Sequence, residues 1–219
     1  MLNELDHELE RRGHSFVRYA DDMVIFCGSK ASAEQTLEHI VPFIEKKLYL
    51  KVNQEKTVVA YAGKIKFLGY GFYKGRTGYA LRVHAKSRAK MKARVRELTS
   101  RRTVNDYEKW KADLKRYVVG WVNYYKLADM GAYLQSIDEW MRRRIRMVFW
   151  KKWKRVRTRW RNLLKLGITN RNAGILANSR KGYWRIASSP ILQTALSNQR
   201  LEKAEFQFFY SYYRKSVAA

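Results

Sequence analysis

The sequence predicts an α+β fold: a small antiparallel sheet with packed helices, followed by a basic bundle of α-helices. Three observations carry this. Residues 16–26 and 66–83 hold short runs of β-formers broken by turn residues. From residue 84 the apolar period changes from 2 to 3.6. The charge changes at the same point: residues 1–83 hold 13 Lys/Arg against 10 Asp/Glu, a net of +3, whereas residues 84–219 hold 33 against 9, a net of +24.

The 219 residues suffice for one or two domains with a real core, and 46% hydrophobic content argues against disorder. A net charge of +27 calls for a polyanionic partner, with nucleic acid the default and an acidic membrane surface the weaker alternative. No apolar run approaches the roughly 20 residues of a spanning helix. Glu4, Asp6, Glu8 and Glu10 do not suit a signal peptide. The one cysteine, Cys27, excludes an internal disulfide and a cysteine-cluster zinc site. These features fit a cytoplasmic protein.

Along the chain, Leu2, Leu5 and Leu9 share one face of a helix over residues 2–12, which Gly13 ends. Phe16 to Phe26 reads as a hairpin with Asp21 and Asp22 at or beside the turn. Ser29 or Ser32 caps a helix whose apolar positions Ala33, Leu37, Ile40, Val41, Ile44 and Leu48 pack behind that hairpin. An extended segment and a strand are expected over residues 48–59. Gly75-Arg76-Thr77-Gly78 is a turn, and Tyr79 to Val83 returns as a strand.

Residues 86–100 form a basic helix burying Met91, Val95 and Leu98. Thr103 with Asp106 caps a second helix, whose stripe is Tyr107, Trp110, Leu114, Tyr117, Trp121 and Tyr125. After Gly131 a third long helix, straight or kinked, carries Leu134, Ile137, Met141, Ile145, Phe149, Trp153, Val156 and Trp160. A last helix around 191–213 ends in Phe206, Phe208, Phe209, Tyr210, Tyr212 and Tyr213, as a packing element or a partly exposed surface.

Two stretches carry chemistry. Asp21 and Asp22 repel each other on a tight turn, and burying them unpaired would be costly. An ion removes that objection. Mg²⁺ takes one or two protein carboxylates and completes its shell with water and phosphate. The bland alternative is turn chemistry, in which Asp is common. The second stretch runs from Arg142 to Arg161. It holds Arg142, Arg143, Arg144, Arg146, Lys151, Lys152, Lys154, Arg155, Arg157, Arg159 and Arg161, with no acidic residue. A solvated helix normally mixes signs, so this one-sign run predicts phosphate contacts, with Trp to pack or stack.

Tyr19-Ala20-Asp21-Asp22 between apolar strands resembles the catalytic hairpin of reverse transcriptases. Met1-Leu2-Asn3-Glu4-Leu5-Asp6 and Phe16-Val17-Arg18 resemble bacterial group II intron reverse transcriptase/maturases in particular. Glu55-Lys56-Thr57 and Phe67-Leu68-Gly69-Tyr70 follow in that family's order. Gly120-Trp121-Val122-Asn123-Tyr124-Tyr125 and residues 138–144 resemble its maturase-specific domain X. Arg180 to Ile186 and Ser189-Pro190-Ile191-Leu192 resemble its C-terminal part.

The resemblance implies the second half of a polymerase palm over residues 1–83, a thumb/domain X over 84–167 and a C-terminal extension over 168–219. It makes Asp21 and Asp22 Mg²⁺ ligands, with Tyr19 and Ala20 on the nucleotide side. It puts Lys56 near template, primer or incoming phosphate, and Phe67, Leu68, Gly69 and Tyr70 in the primer grip. Group II intron RNA and an RNA template with a DNA primer are the implied partners, in a bacterial cytoplasmic ribonucleoprotein. The family's fingers and first catalytic aspartate have no counterpart before Tyr19. The expectation is therefore weak ion binding and no primer extension by the chain alone. Synthesis would then need an N-terminal half in trans, and an uncovered palm edge would favour homodimers or poor solubility. The other reading is a stand-alone RNA-binding splicing helper. A generic basic protein with a chance Tyr-Ala-Asp-Asp does not explain the ordered series of strings.

Overall fold

The computed structural model describes residues 2–75, 78–102, 104 and 106–218. Met1, the Arg76–Thr77 part of the expected turn and the expected cap residue Thr103 lie outside them. The chain divides into two compact units, residues 1–84 and 85–219.

In the first unit, α1 (Leu2–Arg11) buries Leu5 and Leu9. It ends at Gly13, whose φ of +73° suits a residue without a Cβ. The Gly13 and His14 amides close the helix onto the carbonyls of Glu10 and Leu9, both at 2.9 Å. The hairpin is β1 (Ser15–Tyr19) and β2 (Asp22–Phe26), in a register that pairs Phe16 with Ile25 and Tyr19 with Asp22. Alternation turns Phe16, Met23 and Ile25 inward, against a core of Leu5, Leu9, Ile40 and Leu48.

Ser29, not Ser32, caps α2 (Lys30–Pro42): its hydroxyl accepts the Ser32 amide at 3.1 Å. Pro42 has no N–H to continue the ladder, and the helix widens into a π turn over Phe43–Lys47.

The strand expected over residues 55–59 is absent among the described residues. The chain turns instead at Asn53, whose carbonyl accepts the amides of Lys56 (3.2 Å) and Thr57 (3.0 Å), and then runs on unpaired. Alternation alone makes no strand where no partner edge is available. A 3₁₀ turn, Ala62–Lys64, leads to a three-stranded antiparallel sheet of β3 (Lys66–Phe67), β4 (Tyr70–Gly75) and β5 (Gly78–Val83). Phe26 of β2 meets Phe72 of β4 edge to face, with centroids 6.2 Å apart.

The second unit is helical: α3 (Ala85–Leu98), α4 (Tyr107–Tyr125), α5 (Gly131–Lys152), α6 (Val156–Lys165), α7 (Asn170–Ala177), α8 (Tyr183–Ile186), α9 (Pro190–Ala195), α10 (Asn198–Lys203) and α11 (Phe209–Ala218). Asp106 caps α4 by accepting the Glu108 amide at 2.8 Å. Met91 and Val95 are buried on α3, whereas Leu98 is half-buried. Of the α4 stripe, Trp110, Leu114 and Trp121 are buried as the spacing predicts, Tyr117 and Tyr125 are half-buried, and Tyr107 is exposed at the start of the helix. Trp110 lies 5.0 Å from Phe206 and donates its indole N–H to the Leu98 carbonyl at 2.8 Å. Trp121 meets Phe209 edge to face at 5.6 Å.

Two helices read as continuous are broken. The third ends at Lys152 and restarts at Val156, with Trp153 at φ −76°, ψ 56° between them. The last is α9, α10 and α11. Ser189 and Ser197 cap the first two, accepting the amides of Leu192 (3.3 Å) and Arg200 (3.2 Å). Phe206, Phe208 and Phe209 are buried and pack, whereas Tyr210, Tyr212 and Tyr213 are half-buried, so the region is a packing element with a partly exposed tyrosine edge. Among the described residues no helix is long and apolar enough to cross a membrane.

Candidate nucleic-acid interface

In the first unit the candidate residues cluster on two hairpin tips. Ala20 and Asp21 form the two-residue loop between the paired Tyr19 and Asp22. Ala20 takes φ +51°, a left-handed conformation costing a non-glycine residue roughly 1–2 kcal/mol. Asp21 and Asp22 are exposed, and so is Tyr19. The second tip is Leu68-Gly69, between the paired Phe67 and Tyr70, with φ +48° and +81°. Both residues of a two-residue hairpin loop can need positive φ, which Gly69 meets at no steric cost and Leu68 does not. Lys56 is exposed on the turn after Asn53.

The Asp-Asp tip is held by a pair that sequence reasoning missed. Arg18 sits on β1 in the same parity as Phe16, so it faces inward. There its guanidinium makes a two-point contact with the Asp6 carboxylate of α1. The same guanidinium donates to the Ala20 carbonyl at 3.1 Å. Asp6 is therefore spent on positioning the turn. The signal was available: an arginine on the inward face of a strand needs a carboxylate.

The Arg18 hydrogen bond holds the Asp6 carboxyl below its ordinary value of 3.8. Its stabilising contribution is thus fully present above that value and is lost as pH falls through the lower folded value. Asp6→Asn breaks the bidentate pair. We expect faster amide exchange in residues 20–23 of the variant; rates equal to wild type would rule out the clamp.

In the second unit the eleven cations of the basic run divide into three sets. Four act within the fold. Arg142 lies over the Phe208 ring, 4.5 Å from its centroid, and reaches Glu202 at 3.5 Å. Arg143 donates to the Trp184 carbonyl at 2.9 and 3.2 Å and covers that indole at 3.9 Å. Arg144 donates to the Thr99 hydroxyl at 2.5 Å and the Arg96 carbonyl at 3.0 Å. Arg146 is buried and donates to the Leu196 carbonyl and the Asn198 side chain, both at 2.9 Å. Burial pushes the Arg144 and Arg146 guanidinium groups below their usual range, helped by neighbouring arginines. These side chains tie α5 to α3 and to the C-terminal helices, so the idea that all eleven surround an apolar stripe as phosphate ligands is narrowed.

Lys151 lies over Tyr183 at 5.2 Å, and Arg159 over Trp150 at 4.7 Å. Lys152 is half-buried. Lys154, Arg155, Arg157 and Arg161 are exposed, at the break between α5 and α6 and along α6. None of these four takes part in an ion pair among the described residues. Lys154 and Arg155 lie in the break, and Arg157 and Arg161 follow four residues apart on α6.

The family model for reverse transcriptase (RNA-dependent DNA polymerase) matches residues 1–72. The model for the group II intron maturase-specific domain matches residues 88–167. The chain is a reverse transcriptase segment followed by a group II intron maturase-specific domain. The first match contains the Tyr-Ala-Asp-Asp hairpin, and the second contains α4, α5, the break and α6 of this maturase chain. No curated protein matches the chain.

Proposed function

We propose that this maturase chain grips group II intron RNA through phosphate contacts made by Lys154, Arg155, Arg157 and Arg161, and that its Asp21–Asp22 tip contributes metal ligands to a reverse transcriptase centre. The observation that carries the first part is the exposure of these four cations, in the α5–α6 break and along α6, with no ion pair among the described residues. Guanidinium groups match phosphate oxygens in pairs, and clustered cations gain affinity by releasing counterions from RNA. Arg142, Arg143, Arg144 and Arg146 support this indirectly by holding α5 against its neighbours. The Lys56 turn and the Leu68–Gly69 tip are assigned to template, primer or nucleotide phosphate, in service of splicing and target-primed cDNA synthesis.

The donor set at the Asp21–Asp22 tip fits Mg²⁺, which takes one or two carboxylates and otherwise water or phosphate. Asp21 and Asp22 would hold it. When bound, it supplies charge stabilisation for the attacking and leaving oxygens of phosphoryl transfer. The described residues hold no cluster of three or more His, Cys, Asp or Glu, so water and phosphate would complete the shell around the two carboxylates. The hairpin's own role is to project the two carboxylates into solvent on a turn fixed by Asp6 and Arg18.

RNA binding across a salt series tests the interface, comparing structured intron RNA with an unrelated RNA and duplex DNA. A preference for intron RNA that survives raised salt is expected for a maturase module. Equal affinity for all three with a steep salt slope would reduce the reading to a purely electrostatic grip. For the tip, Mn²⁺ titration followed by electron paramagnetic resonance should show weak binding that Asp21→Asn/Asp22→Asn abolishes. Unchanged binding in that variant would remove the tip from the metal site.

A further inference from the structure

A cleft of about 600 Å³ opens beside the α5–α6 break. Its walls are Trp150 of α5, Val156 and Arg159 of α6, Tyr183 of α8 and the 178–182 loop, which brings Arg180 and Lys181. Three cations line it and no carboxylate does. Two more, Arg101 and Lys151, lie over the Tyr183 ring at 4.8 and 5.2 Å.

The aromatic walls hold charge in place. Arg159 sits 4.7 Å from the Trp150 centroid and donates its Nε–H to the Trp153 carbonyl at 3.1 Å, so its guanidinium is fixed at the wall. The rings already carry cations, which makes them positioning surfaces for charge in place of stacking platforms for bases. Converging like charges in a recess, where field lines are focused, are stabilised by an anion. The volume falls within the roughly 300–1,000 Å³ of built ligand sites. Gly182 adds to this. Its φ of −60° and ψ of 151° suit any residue, and a Cβ built there meets nothing within 4 Å. The local fold does not require glycine, and the space beside it at the cleft wall is open.

We propose that this cleft is a phosphate subsite for the backbone of a single nucleic-acid strand, with Arg159, Arg180 and Lys181 as its anion ligands. The inference rests on the nucleic-acid-binding reading and adds Arg159, Arg180 and Lys181 as ligands beside Lys154, Arg155, Arg157 and Arg161.

The test uses the full chain with eight-nucleotide oligouridylate and oligothymidylate as probes. Each lost single-strand phosphate contact lowers the slope of log K against log salt by about 0.7. Arg180→Gln/Lys181→Gln should therefore lower the slope by about 1.4 and the affinity by more than about tenfold at 0.1 M salt. Gly182→Leu, which leaves every charge in place, should weaken binding to a similar degree by filling the cleft. Equal effects on both probes assign the subsite to the phosphodiester itself, whereas effects confined to oligouridylate assign it to RNA. Wild-type affinity in both cleft variants, with a loss in Lys154→Gln/Arg157→Gln, would overturn the cleft and leave the interface standing. A wild-type chain that binds structured RNA but neither oligonucleotide would do the same. Failure to bind any RNA would overturn both.

Discussion

Asp138→Ala is expected to destabilise the helical unit by about 2 kcal/mol and to release its C-terminal helix. Asp138 is buried on α5, and its two carboxylate oxygens accept the amides of Phe209 and Tyr210 at 2.9 Å each. These are orphan donors of the first turn of α11, and Asp138 caps them from 71 residues away. Alanine leaves both unsatisfied, at about 1–3 kcal/mol each. An opposing term reduces the net loss. Burial raises the Asp138 carboxyl from its ordinary 3.8 to about 6, against the pull of the two amides and Arg142. A carboxylate so placed costs on the order of 3 kcal/mol at neutral pH.

The pH dependence follows from the same shift. The folded state binds the proton more tightly than the unfolded one, so this group's stabilising contribution is fully present below about 3.8 and is lost as pH rises through about 6. Asp138→Asn keeps one acceptor oxygen and removes the charge, so it should be milder than Ala and abolish this pH slope. Urea melts between pH 4 and 7 measure both effects. Limited proteolysis reports the release directly, because Phe208 and Phe209 are buried only while α11 is docked. An Ala variant with the wild-type midpoint and cleavage pattern would show that the cap contributes nothing.

Legibility followed the range of the interaction. The hairpin, the change of period at residue 84 and the α4 seam were written locally, in alternation, turn residues and a 3.6 repeat. The Asp6–Arg18 clamp needed only strand parity, which put Arg18 on the inner face with Phe16. Ser189-Pro190 and Ser197 were also local signals, each a cap residue before a helical turn, and reading one helix across them ignored those caps. The break after Lys152 has no such mark. Trp153-Lys154-Arg155 contains neither Gly nor Pro, and the turn is fixed by the later Arg159 reaching back to the Trp153 carbonyl. The division of the arginines was hidden for the same reason. Composition gives Arg143 and Arg157 equal weight, and only the tertiary fold shows that Arg143 is spent on Trp184 while Arg157 is exposed. The proposal that Asp21 and Asp22 are metal ligands comes from a four-residue string, and the fold adds their exposure and their support.

That division sets the size of the remaining prediction. Replacing Lys154, Arg155, Arg157 and Arg161 by Gln should lower intron-RNA affinity on the order of a thousandfold at 0.1 M salt. Each phosphate contact contributes roughly 0.7 to 0.9 to the salt slope, depending on strandedness, so four contacts together account for a slope change of about 3. The fold should survive, because these side chains are exposed and make no ion pair among the described residues. The matched control is Arg142, Arg143, Arg144 and Arg146, changed one at a time to Met. Removing Arg146 orphans the Leu196 carbonyl and the Asn198 side chain in the interior. It should therefore lower the melting temperature while leaving the salt slope of the folded protein close to wild type. Filter binding at several salt concentrations, beside thermal melts, separates the two sets. A quadruple variant that binds with the wild-type slope would move the RNA grip elsewhere on the unit. A large slope change in the folded Arg146 variant would mean that the buried set contacts RNA after all.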